Sequence, residues 1–297
     1  MSKLSTAPGS HGAETPIKLF IAALLFSWQL GLLAGEANPE QWAGVLEHEE
    51  KSAFSHIRIR KLDQLRSMMF VRDNGQEVFE SRIDLDRPYA LQLEYPRFLM
   101  ANFLLRPQPK SVLIVGLGGG AMIHFLQHID PKLRIDVVEI DPVVVRLADH
   151  YFNIRSGAGV TIITTDALKF INETRNKYDV IYLDAFLKPS ADTDATGAPL
   201  NQRASQFYKA VQSRLNAGGL MAINVNRHAG DAKDLHTINT TFAQTYIFTL
   251  QHHYVALGSM DASRISHAEM EKRGRELDLR FNVPGISFHA VSQFLQR

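Results

Sequence analysis

The sequence predicts an α/β protein with a doubly wound, mostly parallel sheet and a small antiparallel β domain in front of it. From residue 111 onward, short apolar runs alternate with helix-like segments, as in a parallel sheet that helices cover on both faces. The first run, 111–115, ends in a glycine-rich turn that opens into a helical pattern. Before residue 95, extended segments surround the hairpin signal Asp73-Asn74-Gly75. We therefore expect a tail and an apolar segment over 1–44, the β domain over 45–94 and the larger domain over 95–297.

The N-terminal β domain is predicted from three extended segments. They cover residues 55–60, 66–71 and 76–81, and the hairpin turn lies between the last two. A helix is expected over 95–105, where Pro107 and Pro109 close it and mark a linker. These segments predict an antiparallel sheet of about three strands.

The larger domain is predicted from strands that alternate with helices. Strands are expected over 112–115, 135–140, 160–164, 180–183 and 220–225, and helices over 121–129, 142–152, 167–173 and 203–215. Residues 246–257 are rich in β-formers without a helix pattern between their halves, so they predict a late antiparallel addition to the sheet. A charged amphipathic helix, whose charges form a solvated face, is expected over 264–281.

The composition excludes several classes of function. The chain has 297 residues, with 32 Lys+Arg against 31 Asp+Glu and no long basic run, so a nucleic-acid partner is not favoured. The absence of cysteine excludes disulfides, thiolate metal sites and cysteine nucleophiles. No Gly-x-Ser-x-Gly pattern is present, which leaves a serine hydrolase without support.

The glycine-rich turn predicts a ligand that contains adenosine. Gly116, Gly118, Gly119 and Gly120, followed by alanine, fit the G-x-G-x-x-A pattern, in which backbone N–H groups approach a ligand closely. Glu139 ends the next strand 23 residues after Gly116, close to the spacing at which an acid meets ribose hydroxyls. Two plainer interpretations stay open: a turn that serves only strand–helix packing, and an ordinary solvated strand end.

Two further carboxylates follow predicted strands at the edge where open α/β sheets bind ligands. Asp166, followed by Ala167, could accept a hydrogen bond from an adenine amino group or cap the next helix, and the two roles are compatible. Asp184 is the candidate for orienting or deprotonating an amine. The loop 187–201 is long enough to act as a lid. Asp141, by contrast, precedes a proline and is expected only to cap a helix.

The histidines give a weaker signal than the carboxylates. His124 and His128 stand at i and i+4 of one predicted helix, but no third ligand accompanies them, and we expect no metal site. His252 and His253 are neighbours in a predicted strand, so their side chains should face opposite ways and not serve one site together.

Together, these motifs resemble the spermidine synthase-like (polyamine aminopropyltransferase-like) family of class I adenosylmethionine-dependent transferases. The likeness rests on residues 45–54, 95–105, 112–121, 138–141, 166–167, 178–184 and 215–220, in that order. The resemblance implies a Rossmann-like sheet of the class I methyltransferase type, S-adenosylmethionine or its decarboxylated form as cofactor, and a homodimer. By resemblance, Glu139 binds the ribose, Asp166 binds the adenine edge, and Asp184 activates the acceptor near Tyr95.

The chain departs from the aminopropyltransferases of that family at three positions. It has Gly119 where they carry an aspartate, Leu187 where they carry a second aspartate, and Tyr95-Pro96-Arg97 where they carry Tyr-His-Glu. An aspartate in the loop attracts a cationic amine and repels the carboxylate of intact adenosylmethionine, and a glycine removes that repulsion. Efficient spermidine synthesis is therefore not expected.

Methyl transfer to an unidentified small-molecule amine or other nucleophile is the first hypothesis. An aminopropyltransferase of polyamine biosynthesis with an altered acceptor is the alternative in chemistry. A non-catalytic nucleoside-binding module is the alternative of another class. A nicotinamide-dependent oxidoreductase is disfavoured by the Asp166 and Asp184 pattern.

The N-terminal segment leaves the compartment open. Residues 17–34 are apolar, follow Lys3 and end before small residues, which predicts a signal peptide or membrane anchor. An apolar helix packed on the protein or on a partner subunit is the alternative. The charge bias would place the rest of the chain outside the cytoplasm, whereas an adenosyl cofactor favours the cytoplasm.

Overall fold

The computed structural model describes residues 39–185, 201–227 and 231–296, with only the backbone described for 201–204. Its N-terminal part is a four-stranded antiparallel sheet in the order β1-β2-β3-β4. These strands are β1 Val45–Lys51, β2 His56–Leu62, β3 Leu65–Val71 and β4 Glu77–Asp84. The described part of the chain thus has four strands here where about three were predicted, because 45–51 pairs with β2 as an additional strand.

The larger sheet has seven strands in the order β10-β11-β9-β8-β5-β6-β7. They are β5 Ser111–Val115, β6 Arg134–Glu139, β7 Val160–Thr164, β8 Tyr178–Leu183, β9 Leu215–Asn226, β10 Gln244–Thr249 and β11 His253–Ser259. Strands β9, β8, β5, β6 and β7 are parallel, whereas β11 pairs antiparallel with β9 and β10 pairs antiparallel with β11. The predicted doubly wound sheet and its late antiparallel addition are confirmed.

Helices connect these strands in the described part of the chain. Three short helices come before the first strand of the large sheet. The helices are α1 Pro39–Ala43, α2 Glu94–Leu99, α3 Asn102–Leu105, α4 Ala121–Ile129, α5 Pro142–Phe152, α6 Ala167–Glu173, α7 Asn201–Ser213, α8 Asp231–Thr241, α9 His267–Phe281 and α10 Phe288–Ser292. The predicted spans of α4, α5 and α6 are correct to the residue. Asp141 caps α5 by accepting a hydrogen bond from the backbone N–H of Val143, as expected.

The single helix predicted over 95–105 is wrong, because the chain forms α2 and α3 with a tight turn between them. Around Met100 and Ala101 the backbone makes i→i−3 hydrogen bonds instead of continuing the α-helical ladder. At the start of α3, the fully buried side-chain amide of Asn102 is hydrogen-bonded to the Tyr182 hydroxyl at 2.8 Å. This polar contact in the core joins the first residue of α3 to β8.

Two regions with predictions lie outside the described residues. They are the apolar segment 17–34 and nearly all of the proposed lid, 187–201. Among the helices of residues 39–185, 201–227 and 231–296, none combines the length and apolarity that a membrane span requires.

The order of the large sheet creates a place for a ligand. The chain runs from β5 outward to β6 and β7, then returns to the other side of β5 to form β8 and β9. Loops after β5 and β8 therefore leave the same sheet edge in opposite directions. In open α/β sheets such a switch point is where ligands bind.

Candidate active site

The turn after β5 lies directly against the end of β8. The backbone N–H of Asp184 donates to the Val115 carbonyl oxygen at 2.9 Å. Gly116 has φ +95°, and a Cβ placed there would lie 2.4 Å from the Asp184 carbonyl oxygen. Only glycine combines this backbone conformation with so close a contact. The glycine turn and Asp184 thus form one rigid unit at the switch point.

The rest of the turn has little space for side chains at Gly119 and Gly120. Gly118 and Gly120 have φ of +51° and +70°, and Gly120 is the N-cap residue of α4 without any side-chain cap. A Cβ on Gly119 would lie 2.8 Å from the Phe152 ring and 3.1 Å from the Ser81 Cβ. An uncapped helix N-terminus reached through glycines presents backbone N–H groups to an anionic or polar ligand. The packing of Phe152 and Ser81 therefore leaves too little space for a side chain at position 119.

Glu139 fastens the end of β6 to the glycine turn. Its two carboxylate oxygens accept hydrogen bonds from the backbone N–H groups of Leu117, at 2.9 Å, and Asp141, at 2.8 Å. Burial raises the pKa of this carboxyl, and the two backbone hydrogen bonds oppose that shift. Each carboxylate oxygen still has a lone pair for a ribose hydroxyl. The position fits the predicted ribose contact, which stays a prediction.

Asp166 has the capping role that the sequence left open. It is the N-cap of α6, and its Oδ1 accepts a hydrogen bond from the Lys169 backbone N–H at 2.8 Å. The residue is exposed at the carboxyl edge of the sheet, and Ala167 beside it is half-buried. Contact of Asp166 and Ala167 with an adenine stays a prediction.

Asp184 stands partly buried at the centre of the edge. The Asn224 Nδ2 donates to its Oδ1 at 3.5 Å, and the Tyr95 hydroxyl is also hydrogen-bonded to its carboxylate. Burial raises the pKa of Asp184 to about 7, although both hydrogen bonds oppose the shift. A carboxylate with a pKa near neutrality can take up and release a proton at working pH.

Tyr95, on α2, connects this edge to the N-terminal sheet. Its hydroxyl lies 3.1 Å from the Glu80 carbonyl oxygen and is also hydrogen-bonded to Asp184, so these two acceptors share its single proton. Burial and the charges of Asp184 and Glu80 raise the pKa of Tyr95 well above its ordinary value, so the hydroxyl stays protonated and acts as a donor. The two predicted catalytic residues, Asp184 and Tyr95, therefore lie together.

Three residues at the site were not predicted from the sequence. Burial, with the charge of Asp184, raises the pKa of Glu80 to about 8. Asn224 is 4% exposed and lies on β9, where the sequence predicts a strand but no site residue. The His253 ring lies 5.9 Å from the Tyr95 ring, and burial lowers its pKa to about 4, so it is neutral. In sequence all three are indistinguishable from ordinary strand residues, and only the pairing of strands brings them here.

The two histidines of α4 do not converge on a common point. The His124 Nε2 is 2.9 Å from the Phe152 carbonyl oxygen, and the His128 ring stacks on Tyr89 with centroids 3.9 Å apart. Within the described ranges, no three His, Cys, Asp or Glu side chains are grouped to hold a metal ion.

Comparison with known proteins gives one family match and several relatives. The spermine/spermidine synthase domain matches residues 99–268, which is more than half of the chain. The polyamine aminopropyltransferase of Vibrio vulnificus is 29% identical over 180 residues, 60% of this chain and 58% of that protein. The eEF1A lysine and N-terminal methyltransferase of Xenopus laevis is 26% identical over 224 residues, 70% of this chain and 32% of that protein. The chain thus spans well under two thirds of the length of either relative.

A solved structure shows the same fold. Human methyltransferase-like protein 13, crystallised in complex with SAH, superposes with a TM-score of 0.58 at 23% identity, over 65% of this chain and 94% of that chain. At this level of identity the likeness concerns the fold alone.

Proposed function

This chain belongs to the spermine/spermidine synthase domain family, and we propose that it is a transferase that uses an adenosyl cofactor, with methyl transfer as its reaction. The observation that carries the proposal is the arrangement at the switch point. There an uncapped, glycine-rich helix N-terminus, the half-buried carboxylate of Glu139 and Asp184, whose pKa is raised to about 7, share one edge of the sheet.

The residues present fit an adenosyl group. Gly118 and Gly120 keep side chains away from the N-terminus of α4, and Glu139 has free lone pairs at the end of β6 for a ribose. Asp166 is exposed one strand farther on, where an adenine amino group could donate to it. When bound, S-adenosylmethionine or its decarboxylated form supplies an electrophilic carbon on a sulfonium.

Asp184 and Tyr95 would act on the acceptor. Asp184 accepts the proton that a nucleophilic nitrogen or oxygen must lose, which its raised pKa permits near pH 7. Tyr95, whose hydroxyl stays protonated, holds the Asp184 carboxylate and fixes its orientation. Transfer of a small alkyl group needs mainly in-line positioning, so these two residues and the glycine turn are sufficient for the step.

Position 119 supports methyl transfer over aminopropyl transfer. A loop aspartate would repel the carboxylate of intact adenosylmethionine, and Gly119 has no such charge. Phe152 and Ser81 fill the space that the aspartate's Cβ would need. The alternative, aminopropyl transfer to an altered acceptor, draws support from the Vibrio vulnificus relative.

Label transfer separates these reactions. The full chain is incubated with methyl-labelled adenosylmethionine or with aminopropyl-labelled decarboxylated adenosylmethionine, together with putrescine, spermidine or a lysine-containing peptide. We expect methyl label in at least one acceptor, and a loss of at least about 100-fold in Asp184→Asn. Asp149→Asn, an exposed aspartate that pairs with Arg155, is the matched control and should keep full activity.

The other possible results would support one of the alternative functions or refute the role of Asp184. Movement of the aminopropyl label would establish the alternative reaction. Binding of an adenosyl compound with no transfer to any acceptor, including a cell extract, would favour the non-catalytic module. Equal turnover in Asp184→Asn would refute the role of Asp184.

A further inference from the structure

Strand β4 carries an irregularity where it passes the candidate active site. Ser81 pairs with Met68 and Phe79 pairs with Met69, so Glu80 is an extra residue without a register partner of its own. Such a bulge turns the side chain of the inserted residue away from the regular alternation, and bulges are frequent beside functional sites. The position of Glu80 is thus set by the bulge and not by the two-residue period of the strand.

The backbone around Glu80 is fixed against the site from two sides. Its carbonyl oxygen accepts the Tyr95 hydroxyl at 3.1 Å and lies 3.8 Å from where a Cβ on Gly118 would be. The next residue, Ser81, contacts the position of Gly119. Glu80 therefore belongs to the floor of the site although it comes from the N-terminal sheet.

Negative charge dominates the surroundings of Glu80. The charged groups that shift the pKa of Glu80 are Asp184, Glu139 and the exposed Arg72. Tyr95, on α2, also interacts electrostatically with Glu80. Asp184 and Glu139 raise its pKa, while Arg72 lowers it. Asp184 and Glu80 repel each other when both are charged, and a bound cation would relieve that repulsion.

The Asn224 side chain gives a second reason to expect a hydrogen-bond donor at this site. The Asn224 side chain, whose Nδ2 faces Asp184, is buried, and its Oδ1 accepts no hydrogen bond from any described residue. A buried carbonyl oxygen without a donor is costly, so such groups usually mark the place of a ligand or water. Carboxylates and a carbonyl oxygen are all acceptors, and an ammonium group is all donors.

We propose that Glu80 is a specificity-determining residue that binds the ammonium group of an amine acceptor beside Asp184. The inference rests on the proposed function, since the amine is the acceptor of that same site. The primary ammonium gives one proton to Asp184, and the freed nitrogen lone pair forms the new N–C bond. The C–S bond of the cofactor breaks with its electron pair kept by sulfur, and the product is a secondary ammonium that Glu80 continues to pair.

The test compares amine binding in wild type and Glu80→Gln. The full chain is saturated with S-adenosylhomocysteine, which cannot transfer a group, and titrated calorimetrically at pH 8 with putrescine and with Nα-acetyl-lysine methylamide. We expect Glu80→Gln to weaken binding of at least one amine tenfold or more, with S-adenosylhomocysteine affinity changed less than twofold. The uncharged 1,4-butanediol should bind wild type more weakly than putrescine, and Glu80→Gln should remove that difference.

Two control variants separate charge recognition from a fault in folding. Glu47→Gln makes the same chemical change on β1, where Glu47 pairs with Arg66, and should leave amine affinity unchanged. Glu80→Asp keeps the charge and should retain part of the affinity that Glu80→Gln loses.

Several outcomes would overturn the proposal. Equal amine affinity in wild type and Glu80→Gln would do so, as would a wild type that binds S-adenosylhomocysteine but neither amine. If Glu80→Gln weakened binding of S-adenosylhomocysteine and left the affinity for both amines unchanged, Glu80 would recognise the cofactor and not the acceptor. If wild type bound no adenosyl compound, the proposed function itself would fail, and the inference with it.

Discussion

At the scale of single residues, the proposed chemistry depends on two acidic side chains that are partly buried. Asp184 and Glu80 come from different sheets, and burial raises the pKa of each, to about 7 and about 8. A buried carboxyl near neutrality costs folding free energy but gives an acid–base group at working pH. The two residues therefore predict opposite effects of pH on activity and on stability.

The activity should rise with pH up to about pH 7. Asp184 must lose its proton before it can take one from the acceptor, so kcat/KM should increase about tenfold per pH unit below the pKa of Asp184. Burial of Asp184 keeps this rising part of the profile near neutrality, although the hydrogen bonds from Asn224 and Tyr95 oppose the shift of its pKa. The measurement is a pH profile of kcat/KM from pH 5 to 9 with the acceptor found by label transfer. A profile that is flat between pH 5 and 7 would contradict the role of Asp184.

The stability should change with pH in the opposite sense. Because the pKa of Asp184 is higher in the folded chain than in the unfolded one, the folded state binds more protons between about pH 4 and 7, and stability falls as pH rises through this window. Asp184→Asn removes the cost of a buried negative charge. We expect its Tm to exceed that of wild type by about 2–4 °C at pH 8.5, a gain of roughly 1 kcal/mol, and the difference to shrink toward pH 5.

Thermal unfolding of both proteins at the two pH values checks this expectation. Asp149→Asn serves again as the control, since that aspartate is exposed and should give the wild-type Tm. A Tm of Asp184→Asn at or below that of wild type at pH 8.5 would contradict the account.

At the scale of elements, the turn between β5 and α4 is the part that tolerates least change. Gly116→Ala would place a Cβ 2.4 Å from the Asp184 carbonyl oxygen at a positive φ. We expect a loss of stability on the order of 1–3 kcal/mol from the overpacking, together with weaker cofactor binding, because the end of β8 must move. Denaturant unfolding and calorimetric titration with S-adenosylhomocysteine measure the two effects.

Gly75 offers a matched control for that substitution. It has φ +82° in the β3–β4 hairpin, but nothing lies within 4 Å of a Cβ placed there. Gly75→Ala therefore reports backbone strain alone, and the excess cost at Gly116 reports the contact with Asp184. Equal costs for the two substitutions would show that the contact does not matter.

The elements that the sequence predicts correctly are those whose signal is local. The spans of α4, α5 and α6 follow from apolar periodicity and from capping residues such as Asp141, all within one window of sequence. No local signal marks the break between α2 and α3, where Asn102 is hydrogen-bonded to Tyr182, eighty residues away. Glu80 was missed for the same reason, since nothing near it in sequence marks a bulge that faces Asp184.

At the scale of the whole molecule, the candidate site is shared between the two sheets. The large sheet supplies the glycine turn, Glu139 and Asp184, as the motifs predict, whereas β4 and α2 supply Glu80 and Tyr95. Under the proposed function, the N-terminal sheet therefore contributes to the acceptor side of the site. The sequence motifs lie on the large sheet, whereas Glu80 and Tyr95 reach the site only through the packing of β4 and α2.

The central claim is that the edge formed by Gly116–Gly120 and Glu139 binds an adenosyl cofactor. Calorimetric titration of the purified chain with S-adenosylmethionine, its decarboxylated form and NAD tests it most directly. We expect saturable binding of S-adenosylmethionine, weaker binding of the decarboxylated form because position 119 carries no acid, and no binding of NAD. Tighter binding of the decarboxylated form would contradict the argument from Gly119, and a failure of both adenosyl compounds to bind would contradict the claim as a whole.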